Sequence, residues 1–127
     1  MAYKYCVRKK TDNISKDKPV KYYAVPVSEK VVGSKELSRI ISDRCTLTGS
    51  DVAGCLDALA YVIQREINDG NKVRLDGIGV FGISATSPGF DTPEECTPGM
   101  VKAKRICFLP SKDLKISLKG LKFTKVG

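Results

Sequence analysis

The segment from Ser34 to Ile83 constrains this chain more than any other, because it joins two amphipathic helices to a glycine-punctuated strand pair. In the second helix Val52, Cys55, Leu56, Leu59, Val62, Ile63 and Ile67 recur at helical spacing over about four turns. Ala53, Ala58 and Ala60 broaden that apolar arc beyond what the short first helix can cover with its Leu37, Ile40 and Ile41. A helix this widely apolar needs a further surface to bury against, and a second copy of itself supplies one. The pattern therefore predicts a helix-based homodimer. A stripe packed only on the local sheet is the competing reading at this point.

Punctuation around these elements is explicit. Ser34 is predicted to cap the first helix, with Glu36 in its first turn. Thr48 followed by Asp51 resembles a capping box with Asp in place of Glu, and Asp69-Gly70-Asn71 is a stop signal. Lys72–Leu75 reads as a strand, Asp76-Gly77 as a tight turn, and Gly79–Ser84 as the return strand.

On the N-terminal side, residues 3–9 and 20–27 are short, aromatic and β-branched, with a polar connector at Lys10–Pro19. They predict a hairpin or two edge strands, and Pro26 points to an edge or a strand end. On the C-terminal side, residues 86–99 are rich in Pro and Gly and acidic at Asp91, Glu94 and Glu95. Residues 100–109 then alternate as a strand. Val101, Ala103, Ile106 and Phe108 do not share one parity, which predicts a bulge or a change of face near Lys104-Arg105. Ser111 is placed to cap a short last helix with Asp113 in its first turn, Leu114 and Leu118 one turn apart, and Gly120 as its stop. Residues 121–126 read as a closing strand.

Charge is segregated. The net of +8 divides into +5 over residues 1–32, −2 over 33–70, −2 over 71–100 and +7 over 101–127. Uniform solubilising charge would not divide so, and the asymmetry favours a polyanionic partner, nucleic acid before an anionic membrane surface. Histidine is absent, which removes the usual proton shuttle near neutral pH. The five cysteines (Cys6, Cys45, Cys55, Cys96 and Cys107) are odd in number and never in ligand spacing. Free thiols in a reducing compartment are expected, with Cys55 acting as a small apolar residue in the helical stripe. No nucleophile sits in a Gly-x-Ser-x-Gly or P-loop context, so no enzyme, metal, cofactor or small-molecule substrate is expected. The first ten residues lack the apolar run of a signal peptide, and no stretch approaches the ~18 apolar residues of a membrane span. The expected location is the cytoplasm, without membrane association.

Taken in order, these motifs resemble the bacterial histone-like HU and integration host factor family of DNA-binding proteins. The resemblance covers roughly residues 33–119. It rests on the helix pair ending in Asn68-Asp-Gly-Asn71, on Lys72-Val-Arg-Leu75, and on Gly77-Ile-Gly-Val-Phe81, the counterpart of the family's Gly-Phe-Gly-Thr-Phe. Phe108-Leu-Pro-Ser-Lys-Asp-Leu-Lys115 resembles the start of the family's last helix. The N-terminal β segment is similar to that of longer HU-like proteins of Bacteroides-type bacteria. The resemblance implies an α+β fold, an intertwined homodimer with a helical base, a β-sheet saddle and β-arms reaching around the minor groove. Residues 1–32 would be an N-terminal β extension and 33–127 the HU-like DNA-binding domain, with the arm at about 84–101.

Its implied role is that of a sequence-tolerant, nucleoid-associated architectural protein that condenses double-stranded DNA. The implied DNA contacts are Lys72, Arg74, Gly77 and Gly79 on the strand pair, Lys102, Lys104 and Arg105 on the strand returning from the arm, and Lys112 and Lys115 at the last helix. Amides at the start of that helix also favour an anion. Val52, Leu56, Leu59, Val62, Ile63, Ile67 and Phe81 would form the dimer core. The family's Arg-Asn-Pro arm tip, whose proline wedges between base steps, has no counterpart here, and Pro88, Pro93 and Pro98 lie among carboxylates instead. The alternative expectation is therefore a protein-interaction or scaffold dimer on the same fold, in which the acidic arm docks a partner.

Overall fold

A computed structural model describes residues 2–10 and 20–126; the turn predicted within the connector falls on residues 11–19, outside that range. The chain divides into two compact units, one drawn from residues 1–33 and 117–127, the other spanning Ser34–Ile116.

The first unit is a three-stranded sheet. Strands β1 (Tyr3–Lys10) and β2 (Lys21–Val27) pair antiparallel, as their alternating aromatic and β-branched residues predict. Pro26 lies in β2, an edge strand, where its missing N–H costs no ladder bond. The closing strand, labelled β6 (Phe123–Lys125), runs parallel to β1 on its other side, in the order β2-β1-β6. Tyr3 and Tyr5 both set their rings near Phe123, with centroids 6.0 and 6.3 Å away.

The second unit opens with helices α1 (Ser34–Asp43) and α2 (Gly49–Asn68). Ser34 is the first residue of α1 and does not precede it, a correction to the predicted cap. Its carbonyl accepts the Ser38 hydroxyl at 2.7 Å, which satisfies that serine in its buried position. The ends of α2 follow the sequence. Thr48 Oγ1 accepts the Asp51 N–H at 3.2 Å, one half of the capping box. Gly70, at φ +89°, turns the chain so that its N–H reaches the Ile67 carbonyl and the Asn71 N–H reaches that of Glu66, the Schellman pattern.

A second antiparallel sheet follows, with strands β3 (Val73–Leu75), β4 (Gly79–Thr86) and β5 (Lys102–Pro110) side by side in that order. It adjoins α2 through β3 and β4. Of the arm expected at about 84–101, residues 84–86 are strand, and two single 3-10 turns occupy Pro93–Glu95 and Pro98–Met100. Helix α3 (Lys112–Ser117) is only six residues long and passes into a 3-10 turn at Leu118–Gly120.

Very little of this chain is interior. Val52, at 3% exposure, is the one buried apolar side chain among the described residues. In α1 it is Ser38 that is buried, while Leu37, Ile40 and Ile41 stay 38–40% exposed. Along α2, Leu56, Leu59, Ile63 and Ile67 are half-buried, but Val62 and Cys55 are exposed. Cys55, expected to act as a small apolar residue of the stripe, is exposed because it lies with Val62 at the edge of the arc, beside the Val52–Leu56–Leu59–Ile63 row.

Candidate nucleic-acid interface

The register of β3, β4 and β5 sorts their side chains onto two faces. Residues directly opposite one another in an antiparallel pair share a face, and alternate residues along each strand share it too. Val73, Leu75, Gly79, Phe81, Ile83, Ile106, Phe108 and Pro110 therefore line one face. The Phe81 and Phe108 rings lie 4.9 Å apart across it. Its outer part is bare, with Ile83 52% and Ile106 59% exposed.

The opposite face carries the cations. Arg74 faces Val80 and Leu109, and Arg105 faces Ser84. Lys72 lies one residue before β3, not within it as predicted, and its aliphatic stem runs along Gly82, which has no side chain to obstruct it. Lys102 joins them because of the irregularity foreseen near Lys104-Arg105. The register shifts between Ser84 and Ala85, so that Ala103 pairs with Ala85, Lys102 pairs with Thr86, and Lys104 is the additional residue. Without that bulge, strict alternation from Arg105 would turn Lys102 toward Phe81 and Ile83. Val80, Cys107 and Leu109 form an apolar strip within the same face.

The sequence-predicted residues do not all gather here. Lys112 and Lys115 are exposed on α3, beyond the end of β5. The start of α3 is also less open to an anion than predicted, since Ser111 Oγ accepts the Leu114 N–H at 3.3 Å. The same hydroxyl donates to the Gly77 carbonyl at 2.9 Å, tying α3 to the β3–β4 turn. Gly77 occupies that turn at φ +79°, where Ile78 N–H closes onto the Leu75 carbonyl. Gly79 is buried, and a β-carbon there would strike the Leu109 carbonyl and come within 2.7 Å of the Phe108 ring. Its close approach is to β5.

Two local electrostatic details modify the face. Arg74 Nε lies 3.3 Å from Asp76 Oδ1, an exposed pair that draws some of the arginine's charge toward the turn. Ser84 Oγ, opposite Arg105, is shielded from solvent and has no hydrogen-bond partner among the described residues. The sequence reading singled out neither: the Arg74–Asp76 pair is local, two residues apart, whereas the place of Ser84 opposite Arg105 depends on register, for which the only signal was the broken parity of residues 101–108.

Comparison with known proteins decides the family. Residues 1–125 match the model of an HU domain fused to a wHTH, Ig or glycine-rich motif. The chain belongs to this HU family. Among curated relatives, it is 28% identical over 99 residues to DNA-binding protein HRL53 of Rhizobium leguminosarum, covering 70% of this chain and all of that one. DNA-binding protein HRL18 of the same organism is 32% identical over 53 residues, which is 42% of this chain and 58% of the relative. Among solved structures, a Bacteroides vulgatus protein described as a candidate bacterial DNA-binding protein overlaps 98% of this chain with a TM-score of 0.60 at 10% identity. This chain spans 49% of that protein's length, and the likeness concerns the fold. Thus the HU resemblance read from residues 33–119 holds, and the matched region also takes in the N-terminal strands. No helix among the described residues is long and apolar enough to cross a membrane.

Proposed function

We propose that this HU family member is a sequence-tolerant, architectural DNA-binding protein that works as a homodimer in the nucleoid. The observation that carries the reading is the sorting of the second sheet. Lys72, Arg74, Lys102 and Arg105 share one face with Lys104 in the adjoining bulge, and the face behind them is apolar and only partly covered.

Each half of that arrangement has its own role. Cations spaced two residues apart along a strand sit about 7 Å apart and can meet successive backbone phosphates without reading bases. Binding would draw its free energy mainly from released counterions. The bare apolar residues, Ile83 and Ile106 on the sheet and Val62 on α2, are the surface a second copy would cover; each is about half exposed, so completing its burial is worth about 1 kcal/mol. In a dimer, Val52, Leu56, Leu59, Val62, Ile63, Ile67 and Phe81 would share one core, and the two cation faces would form a saddle on the minor groove. Gly77 supports the turn at its edge, and Lys112 and Lys115 extend the positive charge beyond β5.

The test is a fluorescence-anisotropy titration of a mixed-sequence DNA duplex at several salt concentrations. Neutralising about six phosphates with each bound copy predicts a log–log salt slope near −5 per copy. Absence of binding at low salt, or binding insensitive to salt, overturns the reading. A scaffold dimer is favoured instead by Asp91, Glu94 and Glu95, all exposed between β4 and β5. In that case, deleting residues 87–101 would abolish capture of a partner protein and leave any DNA affinity unchanged.

A further inference from the structure

Dividing the chain into its two units redistributes the charge in an unexpected way. Ser34–Ile116, which bears the sorted sheet, contains eleven Lys/Arg and eleven Asp/Glu, a net of zero. Residues 1–33 and 117–127 contain eleven Lys/Arg against three Asp/Glu, a net of +8, equal to that of the entire chain. The pairing of β6 with β1 brings the two basic ends of the sequence into this single small sheet. A sheet of three short strands needs no such excess to stay folded, and its own repulsion works against it.

The register shows where the excess collects. On one face of the hairpin, Lys10 stands directly opposite Lys21, and the neighbouring pair on that face is Arg8 opposite Tyr23. Like charges directly opposite one another destabilise an antiparallel pair. Lys10 Nζ lies 6.0 Å from the centre of the Tyr23 ring, and Arg8 Nε donates to Cys6 Sγ at 3.5 Å along the same strand. No carboxylate among the described residues forms an ion pair with Arg8, Lys10 or Lys21. Glu29, the one acid of this unit outside the connector, is held by Lys4 at 2.7 Å. The connector offsets nothing on balance, since Asp12 and Asp17 are matched in number by Lys16 and Lys18. Tyr23 stays 49% exposed among the three cations.

We propose that this hairpin face is a second nucleic-acid-binding surface, in which Arg8, Lys10 and Lys21 grip backbone phosphates beside the Tyr23 ring. The proposal rests on the DNA-binding reading of the chain and adds to it a site outside the HU-like saddle. The cross-strand Lys10–Lys21 repulsion is relieved when a phosphate sits between the two ammonium groups. The exposed ring offers a sugar or base an apolar contact that demands no particular sequence. In this arrangement the neutral unit positions the duplex by shape and sorted charge, and the terminal sheet supplies most of the net attraction.

The experiment compares the full-length chain with two triple variants, Arg8→Gln/Lys10→Gln/Lys21→Gln and Lys102→Gln/Lys104→Gln/Arg105→Gln, on the same DNA duplex across a salt series. At about 0.9 per phosphate contact, the hairpin triple should flatten the salt slope by about 2.7 for each bound copy. Its melting temperature should change little, because the Lys10–Lys21 repulsion is removed while only the long Lys10–Tyr23 and Arg8–Cys6 contacts are lost. Lys10→Arg/Lys21→Arg, which keeps the charge, should retain the original slope. The inference is overturned if the unmodified chain binds DNA, the β5 triple weakens it, and the hairpin triple leaves affinity and slope unchanged. It is also overturned if the hairpin triple loses binding to phosphatidylglycerol vesicles and keeps its grip on DNA, since the face would then serve a membrane. Failure of the unmodified chain to bind DNA at any salt concentration is a different result, and overturns the functional reading itself.

Discussion

The two units would, on the proposed reading, meet a polyanion in opposite ways. The terminal sheet holds the whole net charge of the chain, with lysines opposite one another and few acids near them. The second unit has no net charge, yet its register gathers Lys72, Arg74, Lys102 and Arg105 on a single face while its acids lie on helices, turns and the segment between β4 and β5. Net charge governs long-range attraction; sorting governs where the phosphates come to rest. A count of charge along the sequence reveals the first and conceals the second.

The sharpest way to break this contrast is to remove the assembly that the sorted face is proposed to require. Val62→Glu puts a carboxylate on the exposed side of α2, where burial against a second copy would cost several kcal/mol. Light scattering should then find a single subunit, with duplex affinity down roughly a hundredfold or more. An unchanged dimer mass would refute the placement of the interface. Next in size, the β5 triple variant should flatten the salt slope by about 2.7 for each copy, in the same way on every DNA sequence tested. If the loss depended on sequence, direct base reading would replace sorted phosphate contact.

Gly79→Ala should destabilise the second unit by about 1–3 kcal/mol in urea unfolding, because the added methyl meets the Phe108 ring and the Leu109 carbonyl. A neutral result would mean that β4 and β5 can separate without cost. Ser111→Ala removes both the α3 cap and the bond to the Gly77 carbonyl, and should cost about 1 kcal/mol.

The smallest effect belongs to the terminal sheet. Its hydrogen bond from Lys4 holds the Glu29 carboxyl below the usual carboxylate value. A carboxyl depressed in the folded state contributes stability above its unfolded value and loses it as pH falls through the folded one. Glu29→Gln should therefore lower the urea midpoint slightly near neutrality and make no difference in strong acid. The pair is exposed, so the shift should be barely resolvable. A large loss would instead make this ion pair a main support of the sheet.

Local chemistry made much of the fold readable in the sequence. Thr48, the Asp69-Gly70-Asn71 stop, Ser111 and the β1–β2 hairpin each depend on residues a few positions apart, and each is found as expected. The bulge was legible for the same reason, since the parity of Val101, Ala103, Ile106 and Phe108 already fails within one strand. Pairings between distant residues were not. Joining β6 to β1 brings Phe123 beside Tyr3 across nearly the full length of the chain, and three residues give too little pattern to name a partner. The gathering of Lys72 with Lys102 and Arg105 requires the β4 register, which spacing alone does not supply. Cys55 and Val62 fit a single apolar arc on paper, yet the arc is wider than the surface one copy offers.

The bulge at Lys104 also sets what β5 can survive by way of insertions and deletions. Excising the Lys104 codon would leave Arg105 against Ser84, Ala103 against Ala85 and Lys102 against Thr86, so the ladder closes up with one ammonium fewer and no side chain changes sides. Excising the codon for Ala103 would close the same ladder but swing Lys104 in among the phenyl rings and isoleucines. Two single-codon losses at adjacent positions thus have opposite fates, and drift in strand length is tolerated at one of them alone.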